Sequence, residues 1–188
     1  MSLKAKWQDW FDKTVEECLV QSEGERIRAQ GIIRGKNPDF TVQYKITMND
    51  QWVFREAEIQ SKDADDKGKQ IFLSSDGNGR WTDYKNQRIE GLEEARDIDF
   101  ILTPLTNTLP IKRLHLTRGE SADITIASIS FPALEVTPDT QRYTCIEPGR
   151  LYRFESLSSD FTQDIEFDEG GLVSNYPQMF KRVKLGRD

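Results

Sequence analysis

Between Phe40 and Met48 every second residue is apolar: Phe40, Val42, Tyr44, Ile46 and Met48 alternate with Thr41, Gln43, Lys45 and Thr47. Successive side chains of an extended chain point to opposite faces, so this run predicts a strand with one face in a core and one in water. Shorter stretches share the pattern: Phe161, Ile165 and Phe167; Tyr143 and Cys145; Tyr152 and Phe154. Between such runs lie Asn49-Asp50, Asp76-Gly77-Asn78-Gly79, Glu147-Pro148-Gly149 and Asp168-Glu169-Gly170-Gly171, which supply the backbone conformations of tight hairpins. Counting the runs gives about 12–15 short strands at the spacing of sandwiches, barrels or rolls. Only residues 91–96 have helical propensity, enough for about one turn. The fold class is therefore all-β. A chain of 188 residues suits one hydrophobic core, so residues 1–188 are read as a single domain.

Two runs change phase. Trp52 and Phe54 are followed by Ala57 and Ile59, and Ile124 and Ile126 by Ile129 and Phe131. A one-residue slip turns the later side chains to the other face unless an extra residue is absorbed, so bulges are expected near Arg55-Glu56 and Ala127-Ser128. The charged segment 61–69 reads as a solvated hairpin tip, and Met1-Ser2-Leu3 as a remnant of cloning without structural meaning.

Composition narrows the function classes. A net charge of −6 opposes binding to a nucleic-acid backbone or an anionic membrane by the chain as a whole. Cys18 and Cys145 are the only cysteines and His115 the only histidine, so closed zinc sites and a disulfide framework are not expected, and neither is a cofactor. No apolar stretch has the length of a secretory signal core or a membrane span. The expectation is a soluble, cytoplasmic protein that does not span a membrane.

The candidate chemistry is sparse. His115 alternates with Leu114 and Leu116 and is read as a surface or groove histidine on a strand beside Arg113 and Thr117. Gly77-Asn78-Gly79 lacks the strand, turn and helix context of a phosphate loop. Asp97 and Asp99 share a strand face and could perform acid–base work, although no further ligand accompanies them. Cys145 reads as a buried, inert thiol. The least generic segment, 97–114, joins two apolar strands through a loop holding Pro104, Pro110, several threonines and Asn107. It is expected to be rigid and internally hydrogen-bonded.

Trp81-x-Asp83, Asp97-Ile98-Asp99 running into Thr103-Pro104-Leu105-Thr106-Asn107-Thr108-Leu109-Pro110-Ile111-Lys112-Arg113-Leu114, Gln141-x-Tyr143-Thr144, and Asp168-x-x-Gly171-Leu172-Val173-x-x-Tyr176-Pro177 together resemble a bacterial family named for glycolipid binding and long catalogued as a domain of unknown function. Tyr44 and Trp52 also fit its pattern, and the likeness covers nearly the whole chain. Where relatives often place Gly-Cys before Asp-x-Asp, this chain has Ala95-Arg96. The resemblance implies one highly curved antiparallel sheet, a spiral β-roll or half-barrel, similar in shape to bacterial lipoprotein carriers. It brings no agreed catalytic residues.

The reading that follows is a binding module: an apolar concave wall takes the acyl chain of a glycolipid or other amphiphile, and polar groups at the rim hold its head. The candidate ligand-binding residues are Trp81, Asp83, Asp99, Asn107, Arg113, Tyr143 and Tyr152, with Asn107 expected at the mouth of the sheet. The alternatives are a small-molecule enzyme using Asp97 and Asp99 with Arg113 or His115, and a protein-interaction scaffold. The balance of residues points away from an enzyme.

Overall fold

The computed structural model describes residues 1–36, 38–65 and 67–184. In chain order the elements are β1 (Ser2–Asp9), β2 (Thr14–Glu23), β3 (Arg26–Gly35), β4 (Phe40–Asn49), β5 (Phe54–Asp63), β6 (Gly68–Ser75), β7 (Trp81–Thr82), β8 (Ala95–Phe100), α1 (Leu105–Leu114), β9 (Ser121–Ile129), β10 (Val136–Glu147), β11 (Leu151–Ser156), β12 (Thr162–Phe167), β13 (Val173–Tyr176) and β14 (Phe180–Arg182). All 14 strands form one sheet in the order β7-β6-β5-β4-β3-β2-β1-β14-β13-β12-β11-β10-β9-β8. The count lies within the range expected from the alternation. Ser2 and Leu3, read as idle, instead pair with Gln21 and Val20.

The sheet curls around its own end. On β8 and the final half of β9, Ile98, Phe100, Ala127 and Ile129 join a large apolar cluster with Val42, Ile46, Phe54, Ile59 and Trp81 from the first half of the chain. On the opposite face of the same strands, Asp97 and Asp99 meet α1, and Ile126 joins a second cluster with Tyr143, Tyr152, Phe154, Ile165, Phe167 and Tyr176. Both faces of β8 are therefore covered, and α1 lies between the clusters, giving Leu105 and Leu109 to the first and Ile111 to the second.

Strand alternation sorts the connections into two rims. Those after β1, β3, β5, β8, β9, β11 and β13 lie at one rim, called the first; those after β2, β4, β6, α1, β10 and β12 lie at the second. The hairpin after β5 closes with the Asp63 N–H donating to the Lys67 carbonyl at 2.9 Å, and Asp66 within it lies outside the described residues.

Four expectations are corrected. The segment expected to be a rigid loop holds the helix α1, whereas residues 91–94 form turns that lead into β8. The reason is topological: β8 and β9 pair in parallel, and parallel neighbours need a crossover. His115 is not on a strand but ends α1 in a left-handed conformation, φ 50°. At Arg55 the expected bulge exists, because Thr47 pairs with Glu56 and Met48 with Phe54. At Ala127-Ser128 the register against β10 is unbroken. That phase change arises because β9 is covered first on one face by the second cluster and then on the other by the first.

Candidate functional site

α1 is fixed at its start by a chain of buried polar groups. The Thr103 hydroxyl accepts from the Leu105 N–H at 3.1 Å and donates to Glu16 Oε1 at 2.7 Å, and the Tyr44 hydroxyl donates to the same oxygen. Glu16 is 2% exposed, and its Oε2 has no partner among the described residues. Burial pushes its carboxyl up to about 8, with the two hydroxyls opposing the shift. Tyr44 reaches Glu16 across β3 because the intervening residue is Gly31, where a Cβ would overlap the tyrosine ring.

A second polar group holds the middle of the helix. Asn107 Nδ2 donates to the Tyr143 hydroxyl at 2.9 Å, which donates to Gln141 Oε1 at 3.3 Å, and Gln141 Nε2 donates to Asp99 Oδ2 at 2.7 Å. Thr106 donates to Asp99 Oδ1 at 2.9 Å. Asp99 as a residue is half-buried, but its carboxyl lies under the helix, and desolvation holds it above the ordinary carboxylate range. Near the helix end, Arg113 takes both carboxylate oxygens of Asp97, with Nη2 to Oδ2 at 2.6 Å. Asp97 is fully buried, and desolvation raises its carboxyl despite the guanidinium.

Beyond the last turn of α1, at the second rim, the second cluster opens into a cavity of about 480 Å³ lined by Ile111, Lys112, His115, Leu116, Thr117, Pro148, Gly149, Tyr152, Glu169 and Gly171. Its wall is apolar, from Ile111, Leu116 and the Tyr152 ring, whose hydroxyl is already occupied by the Gly149 N–H at 3.0 Å. Its edge is polar and carries both charge signs. The end of the Lys112 side chain crosses Gly171, which has φ +80° and where a Cβ would displace the lysine, and its ammonium lies 5.8 Å from the Trp52 ring centroid. A larger depression of about 710 Å³ lies on the outer face of β1 to β5. There Lys6 pairs with Glu17 at 2.9 Å and Lys45 approaches Glu58 at 3.9 Å, while Leu19 and Ile32 are the main apolar side chains. Its lining is evenly divided between polar and apolar surface, with charged side chains beside Leu19 and Ile32 on the neighbouring strands.

Of the residues singled out in the sequence, Asp99, Asn107 and Tyr143 come together in one network, and Arg113, six residues beyond Asn107 on α1, pairs with Asp97. Asn107 is 5% exposed, so the mouth position expected for it gives way to a buried one. Tyr152 lines the cavity. Trp81 stacks on Phe54 with centroids 5.0 Å apart and donates to the Ala95 carbonyl at 3.2 Å. Asp83 accepts from the Lys85 and Gln87 N–H groups, bracing its own turn. Neither lines the helix-end cavity. Sequence reading missed Glu16, Lys112, Leu116 and Glu169. Glu16 had a signal: it shares a parity with Cys18 and Val20 and so falls on the buried face of β2.

A sequence profile described as "Putative glycolipid-binding" matches residues 4–182. The crystal structure at 1.80 Å resolution of a DUF1089 family protein from Pseudomonas aeruginosa superposes with a TM-score of 0.79 at 29% identity, covering 89% of this chain and 92% of that one. No curated protein matches the sequence. Among the described residues, no helix is long and apolar enough to cross a membrane.

Proposed function

Because the chain belongs to the family described as "Putative glycolipid-binding", we propose that it binds a small amphiphile with a sugar or phosphate head in the cavity beyond α1. The observation that carries this reading is the graded lining: Ile111 and Tyr152 are buried and Leu116 half-buried, whereas His115, Thr117 and Glu169 are exposed and Lys112 half-buried. A volume of about 480 Å³ falls in the lower half of the range of small-molecule sites, roughly 300–1,000 Å³. It suits a head group with the start of one chain. Tyr152 contacts the ligand in this reading. Asp99, Asn107, Tyr143 and Arg113 position the helix that forms the wall, and Trp81 and Asp83 support the far edge of the sheet.

The enzyme reading has less to stand on. Asp97 is committed to Arg113, and both Asp99 oxygens are engaged by Thr106 and Gln141.

The test uses octyl glucoside as probe, followed by native mass spectrometry and by chemical-shift changes at Tyr152. Lys112→Met keeps the stem over Gly171 while removing the ammonium, and Leu116→Ser weakens the apolar wall. Both are expected to reduce occupancy at least several-fold, Lys112→Met with little change in the denaturation midpoint and Leu116→Ser with a modest fall, since Leu116 packs against the second cluster. Wild-type occupancy in both variants sinks the assignment.

A further inference from the structure

Six large apolar side chains are exposed among the described residues: Met1, Trp10, Phe11, Tyr84, Ile101 and Leu157. Four of these, Trp10, Phe11, Ile101 and Leu157, sit in connections at the first rim, after β1, β8 and β11. Hydrogen bonds tie this rim together: Trp10 N–H donates to the Met179 carbonyl at 3.1 Å, and Lys36 N–H to the Lys13 carbonyl at 2.8 Å. Phe161 and Met179, partly buried, extend the apolar surface inward.

The tip after β1 is built to project. Asp9 Oδ1 accepts from the Lys13 and Thr14 N–H groups, which closes the turn from beneath. Trp10 is anchored through its indole N–H to the Tyr176 carbonyl at 2.9 Å and is still 43% exposed. Phe11 is 73% exposed, and the Lys13 ammonium lies 5.9 Å from its ring centroid. Lys181 holds its ammonium 5.9 Å from the Trp10 ring and pairs with Asp12 at 3.0 Å. The apolar rings thus stand beside the Lys13 and Lys181 ammonium groups.

We propose that the first rim docks the protein on the surface of a lipid bilayer, with Trp10 and Phe11 entering the head-group boundary and the lysines meeting lipid phosphates. Separate protruding side chains on several turns, rather than one flat patch, suit a soft interface that closes around each of them. Tryptophan with an anchored indole N–H and lysines with apolar stems are the residue types that settle at that depth. The net charge of −6 opposes attraction to anionic lipid, so apolar insertion into a zwitterionic surface is the driving term. The helix-end cavity is at the opposite rim and stays in the aqueous phase when the protein is docked.

The test is intrinsic fluorescence with phosphatidylcholine vesicles. Trp7, Trp52 and Trp81 are 0%, 8% and 0% exposed, so Trp10 dominates any response to acrylamide. Vesicles are expected to blue-shift the emission and protect it from the quencher, and the protein to co-sediment. Phe11→Ser, which removes a ring that is 73% exposed, is expected to weaken partitioning about tenfold. Tyr84→Ser, away from this rim, is expected to leave it unchanged. No response to vesicles, or equal binding by Phe11→Ser, overturns the proposal. Protection of Trp10 that grows with protein concentration alone and vanishes in Phe11→Ser would assign the rim to self-association instead. Loss of vesicle binding with octyl glucoside occupancy retained would sink this inference and leave the cavity reading standing.

Discussion

The ring of Tyr44 lies in the space that a side chain at Gly31 would fill, and from there its hydroxyl reaches Glu16 two strands away. One missing side chain on β3 thereby links β4, β2 and, through Thr103, the start of α1. The glycine is required by the close approach of the ring.

Gly31→Ala should accordingly lower stability by about 2–3 kcal/mol, the upper part of the range for overpacking. Urea titration of the variant measures it. Placing the same substitution in a Tyr44→Leu background should recover much of the loss, since neighbours in contact are non-additive. Full additivity of the two changes would mean that the overlap is relieved elsewhere.

Glu16 gives the fold a pH dependence of definite sign. Its carboxyl is raised from 4.5 in the unfolded chain to about 8 in the folded one, so folding favours the protonated form. The stabilisation is complete below about pH 4.5 and is lost as pH rises through about 8, on the order of 5 kcal/mol at face value. Glu16→Gln, which cannot ionise, should flatten this component. The difference in midpoint between variant and wild type should grow in favour of the variant from pH 5 to pH 8.5. A constant difference across that window rejects a buried, protonated Glu16.

Arg113→Ala leaves the Asp97 carboxylate buried beneath α1 without its cation. Breaking such a pair typically costs about 3–5 kcal/mol, because the remaining charge is uncompensated. Asp97→Asn with Arg113→Ala should be less damaging than Arg113→Ala alone. Thermal melts of the three variants decide it, and a mild effect of the single change would show that water reaches the carboxylate.

Strand content was legible because alternation is local. Phe40, Val42, Tyr44, Ile46 and Met48 announce their face without reference to anything distant, and at Arg55 the phase slip marked a real bulge. The helix was not legible, since Pro110 and the threonines at 106 and 108, all inside it, disfavour it. It forms because β8 and β9 are parallel and Leu105 and Leu109, four apart, both reach the larger cluster. The phase change at Ala127 depends on which part of the curled sheet covers each face of β9, and no local pattern records that. The site suffered likewise: Asp99, Asn107 and Tyr143 stood out as polar or aromatic residues in an unusual setting, while Lys112 and Glu169 become neighbours only through the curl.

Asn107 separates a brace from a contact residue. The sequence places an amide in a threonine- and proline-rich segment, which suited a rim donor. In the structure it is 5% exposed and donates to the Tyr143 hydroxyl, which is itself 1% exposed and linked through Gln141 to Asp99. Truncation to alanine leaves that hydroxyl without its donor, and an unsatisfied buried polar group costs about 1–3 kcal/mol. Asn107→Ala should therefore lower the free energy of unfolding by that amount, seen as a lower denaturation midpoint at unchanged slope. Tyr143→Phe should behave similarly, and the double variant should lose less than the sum, because the two residues share one hydrogen bond. Octyl glucoside occupancy should fall only as far as the helix end is loosened, and should recover at low temperature, where the helix is held. An unchanged midpoint with occupancy abolished at every temperature would move Asn107 from bracing the helix to holding the ligand.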